Sequence, residues 1–236
     1  MKTAHQLPLL FDAAKLQEEL NGVLVNWTSH FNTDYYSGDW SGIVLRGPID
    51  TSHGLSAGNV ASGGFEDKPI YGDLSYTKKA VDALQCPKLS VRFLRLQPNS
   101  EIREHKDFDM VFWDGYVRIH IPVFTNPEVE FIVDNARIDM KEGECWFADF
   151  SKSHSVVNKG NSARVHLVID CEVNDWLKDL FLSEGIIQAN EVPETQEDQM
   201  TLAQKKEMIA QLLSHDNANS TKLAQDLARQ FGVSLD

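Results

Sequence analysis

The chain has 236 residues, with 35 acidic against 22 basic side chains and a formal net charge of −13. This length allows one sizeable core, or one large domain with a small appendage. The negative charge disfavours nucleic acids and anionic membrane surfaces as partners, because both would be repelled at long range. A few arginines could still hold a small anion in a pocket.

The first residues lack the long apolar segment of a secretory signal, and no run approaches the roughly 20 apolar residues that span a bilayer. The three cysteines, Cys86, Cys145 and Cys171, are widely spaced, unlike a disulfide framework or a zinc site. These features predict a soluble, cytoplasmic protein with no membrane partner.

Two helices are expected in the amino-terminal part. Asp12 is the predicted N-cap of a helix over 13–24, and a second helix is predicted over 78–85. Between them, residues 27–64 are rich in Gly, Ser, Asn and aromatic residues, with a short strand predicted at 42–46.

From residue 88 to 171, short runs of β-branched and aromatic residues alternate with turn pairs such as Asp134-Asn135. Many short strands at regular spacing favour a mainly β jelly-roll or cupin-type antiparallel barrel over a parallel α/β sheet. The predicted strands are 89–96, 116–124, 129–133, 136–140, 145–148, 155–158 and 163–170.

The carboxy-terminal part is predicted to be helical. A helix is expected over 174–183, then a capping box at Thr201 opens a helix to about Leu213, and another helix follows over 220–231. We expect this acidic helical pair to be a packing or dimerising appendage, with a homodimer as one outcome, rather than a DNA-binding motif. The predicted organisation is a main domain over 1–187, a linker over 188–200 and the appendage over 201–236.

Three residues of the strand-rich part have the spacing of a metal site. His105 and Asp107 are two residues apart, so in an extended segment they point to the same face. His154 lies on a distant strand that can fold across the barrel. Two imidazoles and one carboxylate suit non-haem Fe(II), with positions left for a cosubstrate and O2. Zinc suits the same ligands, but the sequence shows no general base for hydrolysis.

Two further pairs, Arg118 with His120 and Arg164 with His166, each place a cation and an imidazole on one strand face. Arginines inside a small barrel are costly unless an anion neutralises them. Because guanidinium groups bind carboxylates in bidentate geometry, the pairs predict a dicarboxylate cosubstrate and favour 2-oxoglutarate. His166 is expected to lie behind the residues that contact it.

Several motifs in a fixed order resemble the aspartyl/asparaginyl β-hydroxylase family and the related bacterial free-proline hydroxylases. The likeness covers roughly residues 88–172, and the segments at Tyr36–Ser41 and Leu45–Pro48 are similar to the soluble bacterial branch. The motifs are His105-x-Asp107, Val117-Arg118-Ile119-His120-Ile121-Pro122, Gly143-Glu144-x-Trp146-Phe147-x-Asp149, His154-Ser155-Val156-x-Asn158 and Arg164-Val165-x-Leu167-x-Ile169-Asp170.

This resemblance implies a double-stranded β-helix that uses Fe(II), 2-oxoglutarate and O2 to hydroxylate an amino acid, free or within a peptide or protein, with decarboxylation of 2-oxoglutarate to succinate. It implies iron binding by His105 and His154, and cosubstrate binding by Arg118, His120 and Arg164. The animal enzymes lack an acidic ligand at the position of Asp107. The full triad is therefore more similar to that of the proline hydroxylases. The protein-domain substrates of the animal enzymes are for this reason a weaker expectation for this chain.

The odd separation of Arg92 and Arg95 places only one of the two inside the barrel. The resemblance implies that this is Arg92, which aligns better with the basic position that precedes the first ligand in similar enzymes, and Arg92 is therefore the predicted contact of a substrate carboxylate. Trp40, Arg46 and Trp113 are candidates for the mouth of the site.

Asp149 either orients a ligand or caps a turn, and His30 and His53 receive no role. Two other functions stay open. One is a cupin-type metalloprotein that does not use 2-oxoglutarate and would be indifferent to Arg164→Ala. The other is a non-catalytic binding module whose acidic tail recruits a partner.

Overall fold

The computed structural model describes residues 1–24, 26–49, 55, 64–191, 201–214 and 218–234. The chain divides into two compact units, Met1–Ile187 and Gln188–Asp236. In the described residues, the first unit carries the β-strands and the second is helical.

The larger of two antiparallel sheets in the first unit has eight strands. In spatial order these are β1 (Ala4–Leu10), β11 (Glu144–Ala148), β8 (Tyr116–Phe124), β13 (Arg164–Glu172), β6 (Lys88–Leu96), β4 (Trp40–Pro48) and β2 (Thr28–Ser29), with β5 (Phe65–Asp67) paired to β4.

The smaller sheet has five strands and packs against the inner face of the larger one. In spatial order they are β10 (Ala136–Arg137), β9 (Val129–Val133), β12 (His154–Asn158), β7 (Ser100–His105) and β3 (Tyr36–Ser37). One buried cluster joins the sheets, with Leu94 and Val168 from the larger sheet and Ile102, Phe131 and Val156 from the smaller. Two facing antiparallel sheets of this kind confirm the predicted double-stranded β-helix.

The predicted strands 116–124 and 129–133 agree with the structure residue for residue, and the others agree to within three residues at either end. The Asp134-Asn135 turn is confirmed, with both residues at positive φ between β9 and β10. The sequence does not predict β1 or β7. In β7, Ile102 is the one large apolar residue among several charged ones, so local propensity misses a strand that its pairing with β12 defines.

Among the described residues, three α-helices belong to the first unit: α1 (Ala13–Gly22), α2 (Ser75–Asp82) and α3 (Asp175–Ser183). Asp12 caps α1 as predicted, accepting a hydrogen bond from the backbone N–H of Lys15. α2 begins three residues before the predicted position, because the Glu19 carboxylate of α1 accepts the backbone N–H groups of Tyr76 and Thr77 at 2.6 and 2.8 Å. Glu19 thus supplies the cap that Leu74 lacks.

The second unit contains α4 (Leu202–Ser214) and α5 (Ala218–Phe231), which pack through Ile209, Ala224 and Ala228. The predicted capping box is present: the Thr201 N–H donates to Gln204 Oε1 at 2.8 Å, and the Gln204 N–H donates to Thr201 Oγ1 at 3.3 Å. Most of the predicted linker, 192–200, lies outside the described residues. Within the described chain, the helices are too short or too polar to cross a membrane.

Candidate active site

A cavity of about 390 Å³ lies between the two sheets. Inward side chains of β6, β8 and β13 form one wall, and those of β7, β9 and β12 form the other. The cavity brings together all three predicted metal ligands, and of the other predicted site residues it brings in Arg118, His120, Arg164, Arg92 and Trp40.

The predicted ligands lie side by side at this cavity. His105 and His154 are direct cross-strand partners of β7 and β12, with ring centroids 4.2 Å apart. Asp107 lies just beyond the end of β7, where its N–H donates to the Phe150 carbonyl at 2.9 Å. One ligand atom from each of the three residues falls within 4.8 Å of the others, so the trio could hold one metal ion.

Backbone carbonyls set the tautomers of both imidazoles. His105 Nδ1 lies 2.7 Å from the Arg103 carbonyl and His154 Nδ1 lies 3.0 Å from the Lys152 carbonyl. A carbonyl only accepts, so each Nδ1 carries the proton and each Nε2 offers a lone pair. Burial lowers the pKa of His154 to about 4. The His154 imidazole is therefore neutral at pH 7, as a metal ligand must be.

A fully buried carboxylate joins two arginines behind the triad. Arg118 donates from Nε to Asp170 Oδ1 at 2.6 Å and from Nη2 to Oδ2 at 3.2 Å, while its Nη1 donates to Asp107. Arg92 Nη2 donates to Asp170 Oδ2 at 2.5 Å, and the Ser90 hydroxyl donates to the same oxygen at 2.8 Å. Burial acts to raise the pKa of Asp170, but the charges of Arg118 and Arg92 outweigh it and hold that pKa well below its usual range.

This network changes the interpretation of Arg118, which the sequence assigns to the cosubstrate. Arg118 does line the cavity. Its three guanidinium nitrogens are nevertheless all engaged by Asp107 and Asp170. The geometry makes Arg118 a support for the predicted metal ligand Asp107, rather than a free site for an added anion.

Arg164 is the buried cation that has no such partner. It is 2% exposed, and among the described residues no carboxylate pairs with it. Its Nη2 donates to His166 Nδ1 at 2.8 Å, and its buried Nε has no hydrogen-bond partner in the part of the chain that the structure describes. Burial lowers the pKa of Arg164 to about 9. An uncompensated cation facing a cavity is a site for an anion.

The hydrogen bonds of His120 do not favour the carboxylate contact predicted for it. Its Nδ1 lies 3.1 Å from His166 Nδ1. Because His166 Nδ1 must accept from Arg164, His120 Nδ1 is the donor in this pair. The buried Nε2 of His120, to which none of the described residues hydrogen-bonds, is then an acceptor. An acceptor repels a carboxylate oxygen, so the contact predicted for His120 has no support in this pattern.

Of the predicted mouth residues, Trp40 lines the cavity, but Arg46 and Trp113 do not. Alternation along β4 would place Arg46 on the same face as Trp40. A register shift between Val44 and Arg46 breaks that alternation, and Arg46 pairs instead with Asp67 at 2.7 Å. Trp113 is 39% exposed and packs edge-on against its neighbour Phe112.

Local contacts show where the remaining residues singled out in the sequence lie. Arg95 points away from the cavity and contacts Ser41, so Arg92 is the inward member of the pair, as predicted. Asp149 caps a turn by accepting the Ser151 N–H at 3.2 Å. His53 lies outside the described residues.

Sequence reasoning missed two residues of the site. Asp170 continues the inward alternation that starts at Arg164 and His166, so the period of two could have identified it. His30 lines the cavity because β2 pairs with β4. No local sequence signal reveals a contact of that kind.

The chain is similar to one hydroxylase family and to two curated enzymes. A family model described as aspartyl/asparaginyl beta-hydroxylase matches residues 64–173, which confirms the resemblance inferred from the motifs over that segment. The L-proline cis-4-hydroxylase of Rhizobium meliloti (strain 1021) is 28% identical over 171 residues, covering 69% of this chain and 58% of that protein. The L-proline cis-3-hydroxylase 1 of a Streptomyces species is 28% identical over 156 residues, covering 58% of this chain and 53% of that protein.

The chain therefore spans a little over half the length of these curated relatives. Among solved structures, an oxidoreductase of the 2OG-Fe(II) oxygenase family from Burkholderia pseudomallei aligns with a TM-score of 0.49 at 14% identity. That alignment covers 73% of this chain and 86% of the other.

Proposed function

We propose that this chain is an Fe(II)- and 2-oxoglutarate-dependent dioxygenase that hydroxylates a small free amino acid. The observation that carries the proposal is the convergence of His105, Asp107 and His154 at one cavity that also holds the uncompensated cation of Arg164.

The donor set fits the metal. Two neutral imidazole nitrogens and one carboxylate are the ligands of a facial triad, which leaves positions for other ligands. The charges fit a dianion as well. Arg92 and Arg118 balance Asp107 and Asp170, so a divalent ion and Arg164 leave three positive charges at the cavity. A dicarboxylate would neutralise two of them, and the carboxylate of a zwitterionic amino acid would pair with the third.

Each residue then has a defined task. His105 and His154 would bind the metal through Nε2, and Asp107 would bind it through the carboxylate oxygen that Arg118 leaves free. Arg164 would hold the distal carboxylate of 2-oxoglutarate. When bound, Fe(II) and 2-oxoglutarate would activate O2, so that one oxygen atom enters an unactivated C–H bond of the substrate and the other enters the succinate that 2-oxoglutarate forms as it loses CO2. Phe131 and Phe150, which line the cavity, keep bulk water away from this centre.

The names of the two curated relatives support a small substrate, and L-proline is the first compound to test. A cavity of about 390 Å³ that must also take 2-oxoglutarate leaves room for an amino acid of this size.

The test measures conversion of 2-oxoglutarate to succinate with Fe(II), alone and with L-proline or each other standard amino acid. His154→Ala abolishes metal-dependent binding of 2-oxoglutarate, and Arg164→Met weakens that binding about tenfold or more, because a charge-assisted pair is lost. Arg46→Met is the matched control, since Arg46 lies outside the cavity with Asp67, and it leaves binding unchanged.

Absence of iron-dependent 2-oxoglutarate binding in the wild-type protein would refute the proposal. Binding that is equally tight in Arg164→Met would contradict the role given to Arg164. Metal binding without 2-oxoglutarate binding in the wild type would favour a cupin-type metalloprotein that does not use 2-oxoglutarate.

A further inference from the structure

Two cysteines that are far apart in the sequence are neighbours in the fold, away from the cavity. Cys86 lies between α2 and β6, and Cys171 lies near the end of β13. Both are free thiols, 5% and 0% exposed, and neither lines the cavity. The wide spacing in the sequence gave no indication of this pair.

A register shift places the two side chains on the same face of the sheet. The pairing of β13 with β6 shifts just before Cys171, so that Cys171 lies opposite Lys88 instead of Leu89. Because side chains alternate along an extended chain, Cys86 shares the face of Lys88 and therefore that of Cys171. Without the shift, the two cysteines would be on opposite faces.

Hydrogen bonds on both sides of Cys86 hold its backbone beside the end of β13. The Glu172 N–H donates to the Pro87 carbonyl at 3.0 Å, and the Asn174 side-chain amide donates to the Gln85 carbonyl at 2.8 Å. Gln85 and Pro87 are themselves exposed. The Cys86 thiol thus lies directly beneath a surface turn, where a small oxidant can reach it.

The two thiols differ in reactivity. A hydrogen bond from Cys171, helped by the positive charge of Lys88, outweighs burial and lowers the pKa of Cys86. The same hydrogen bond and burial raise the pKa of Cys171. Since the thiolate is the reactive form, Cys86 is the thiol that an oxidant attacks first, and Cys171 is placed to resolve the product.

We propose that Cys86 and Cys171 form a redox modification site, which hydrogen peroxide converts reversibly into a disulfide that locks β6 to β13. The Cys86 thiolate attacks one peroxide oxygen, the O–O bond breaks, and a sulfenic acid and water form. The Cys171 sulfur then attacks the sulfenic sulfur, and the S–S bond forms as a second water leaves. Two thiols are oxidised and one peroxide is reduced, and an added dithiol reverses the bond.

The disulfide would close a long loop of the first unit. That loop runs from the start of β6 to the end of β13 and contains His105, Asp107 and His154. A cross-link over a long loop restricts the unfolded chain more than the folded one, so it stabilises the fold. We expect the oxidised protein to have a Tm about 5 °C or more above that of the reduced protein.

The experiment treats the reduced full-length protein with hydrogen peroxide, in the presence of a chelator so that trace metal does not catalyse other oxidations. Intact mass should fall by about 2 Da, because two hydrogens are lost. Alkylation after denaturation should then label Cys145 alone, peptide mapping should show Cys86 joined to Cys171, and dithiothreitol should restore three labelled cysteines and the original Tm.

Single serine variants separate the roles of the three thiols. Cys145→Ser is the matched control, since Cys145 is also buried, and it keeps both the loss of mass and the rise in Tm. Cys86→Ser loses both. Cys171→Ser loses both as well, but its Cys86 sulfenic acid has no resolving thiol and should be trapped by dimedone.

Three alkylated cysteines in the peroxide-treated wild type would overturn the inference. A disulfide that includes Cys145, or a Cys86–Cys171 disulfide that does not raise the Tm, would overturn it as well. Each of these results is read from the wild-type protein, so none depends on the folding of a variant.

Discussion

Replacing Asp170 by Asn removes one negative charge from between two buried arginines while it keeps the size of the side chain. Asp170 is fully buried and accepts hydrogen bonds from Arg92, Arg118 and Ser90. An Asn side chain is neutral and accepts at one atom only, so both guanidinium groups lose their charge partner and either Arg118 Nε or Arg92 Nη2 also loses its hydrogen bond.

The size of the expected loss of stability follows from the partners that each arginine keeps. Arg118 retains Asp107, but Arg92 retains only the Leu55 carbonyl. Breaking a buried pair and leaving a charge uncompensated costs about 3–5 kcal/mol, which is a large share of the roughly 5–15 kcal/mol that stabilises a typical domain. We expect Asp170→Asn to lower the free energy of unfolding by about this amount at pH 7.

The assay is urea unfolding followed by tryptophan fluorescence, with a chelator present so that metal binding does not contribute. Asp149→Asn is the matched control, because Asp149 is also buried but caps a turn at Ser151 instead of pairing with a cation. We expect it to cost about 1–2 kcal/mol.

The pH dependence gives an independent check. The pKa of Asp170 is held below its unfolded value by Arg118 and Arg92, so its stabilisation is complete above the unfolded pKa of about 3.9. It is lost as the pH falls through the folded pKa. The difference in the free energy of unfolding between wild type and Asp170→Asn should therefore be constant from pH 5 to 8. A loss in Asp170→Asn no larger than in Asp149→Asn would show that the ion network does not stabilise the fold.

Two further predictions concern other parts of the chain. Glu19→Gln should cost about 1–2 kcal/mol, because its carboxylate caps α2. Partial burial acts to raise the pKa of Glu19, but the hydrogen bonds from Tyr76 and Thr77 outweigh it and lower that pKa. Urea unfolding should therefore show the difference from wild type shrinking as the pH falls below about 4, and a pH-independent difference would contradict the cap. A chain that ends at Glu191 should keep metal-dependent 2-oxoglutarate binding, measured by titration, since the cavity is lined by the first unit. Loss of binding in a folded truncation would contradict this expectation and would show that the site depends on the second unit.

Residue type and spacing predicted much of this molecule. The alternation of apolar and polar residues located strands such as 116–124, because inward and outward faces of a strand differ in burial. The period of two also identified His105 and Asp107 as neighbours, and the pairing of β7 with β12 brings His154 to them.

What the sequence could not predict depends on pairing across the fold. A register shift redirects Arg46 away from the cavity, and such shifts have no signal in the local pattern. The role of Arg118 depends on its carboxylate partners, Asp107 and Asp170. Composition shows that acids are abundant, but only tertiary structure shows which of them are within reach of a given arginine.

The central position of β13 has a consequence for how this protein can change. Arg164, His166 and Asp170 share one face of this strand, while Val165, Leu167 and Ile169 share the other. Inserting or deleting one residue ahead of Arg164, with the pairing to β6 and β8 kept, would exchange these faces. Three apolar side chains would then enter the cavity, and two charges would enter the apolar layer behind the sheet. Single substitutions in this strand therefore affect one face at a time. A change in its length would disrupt both the candidate active site and the hydrophobic core.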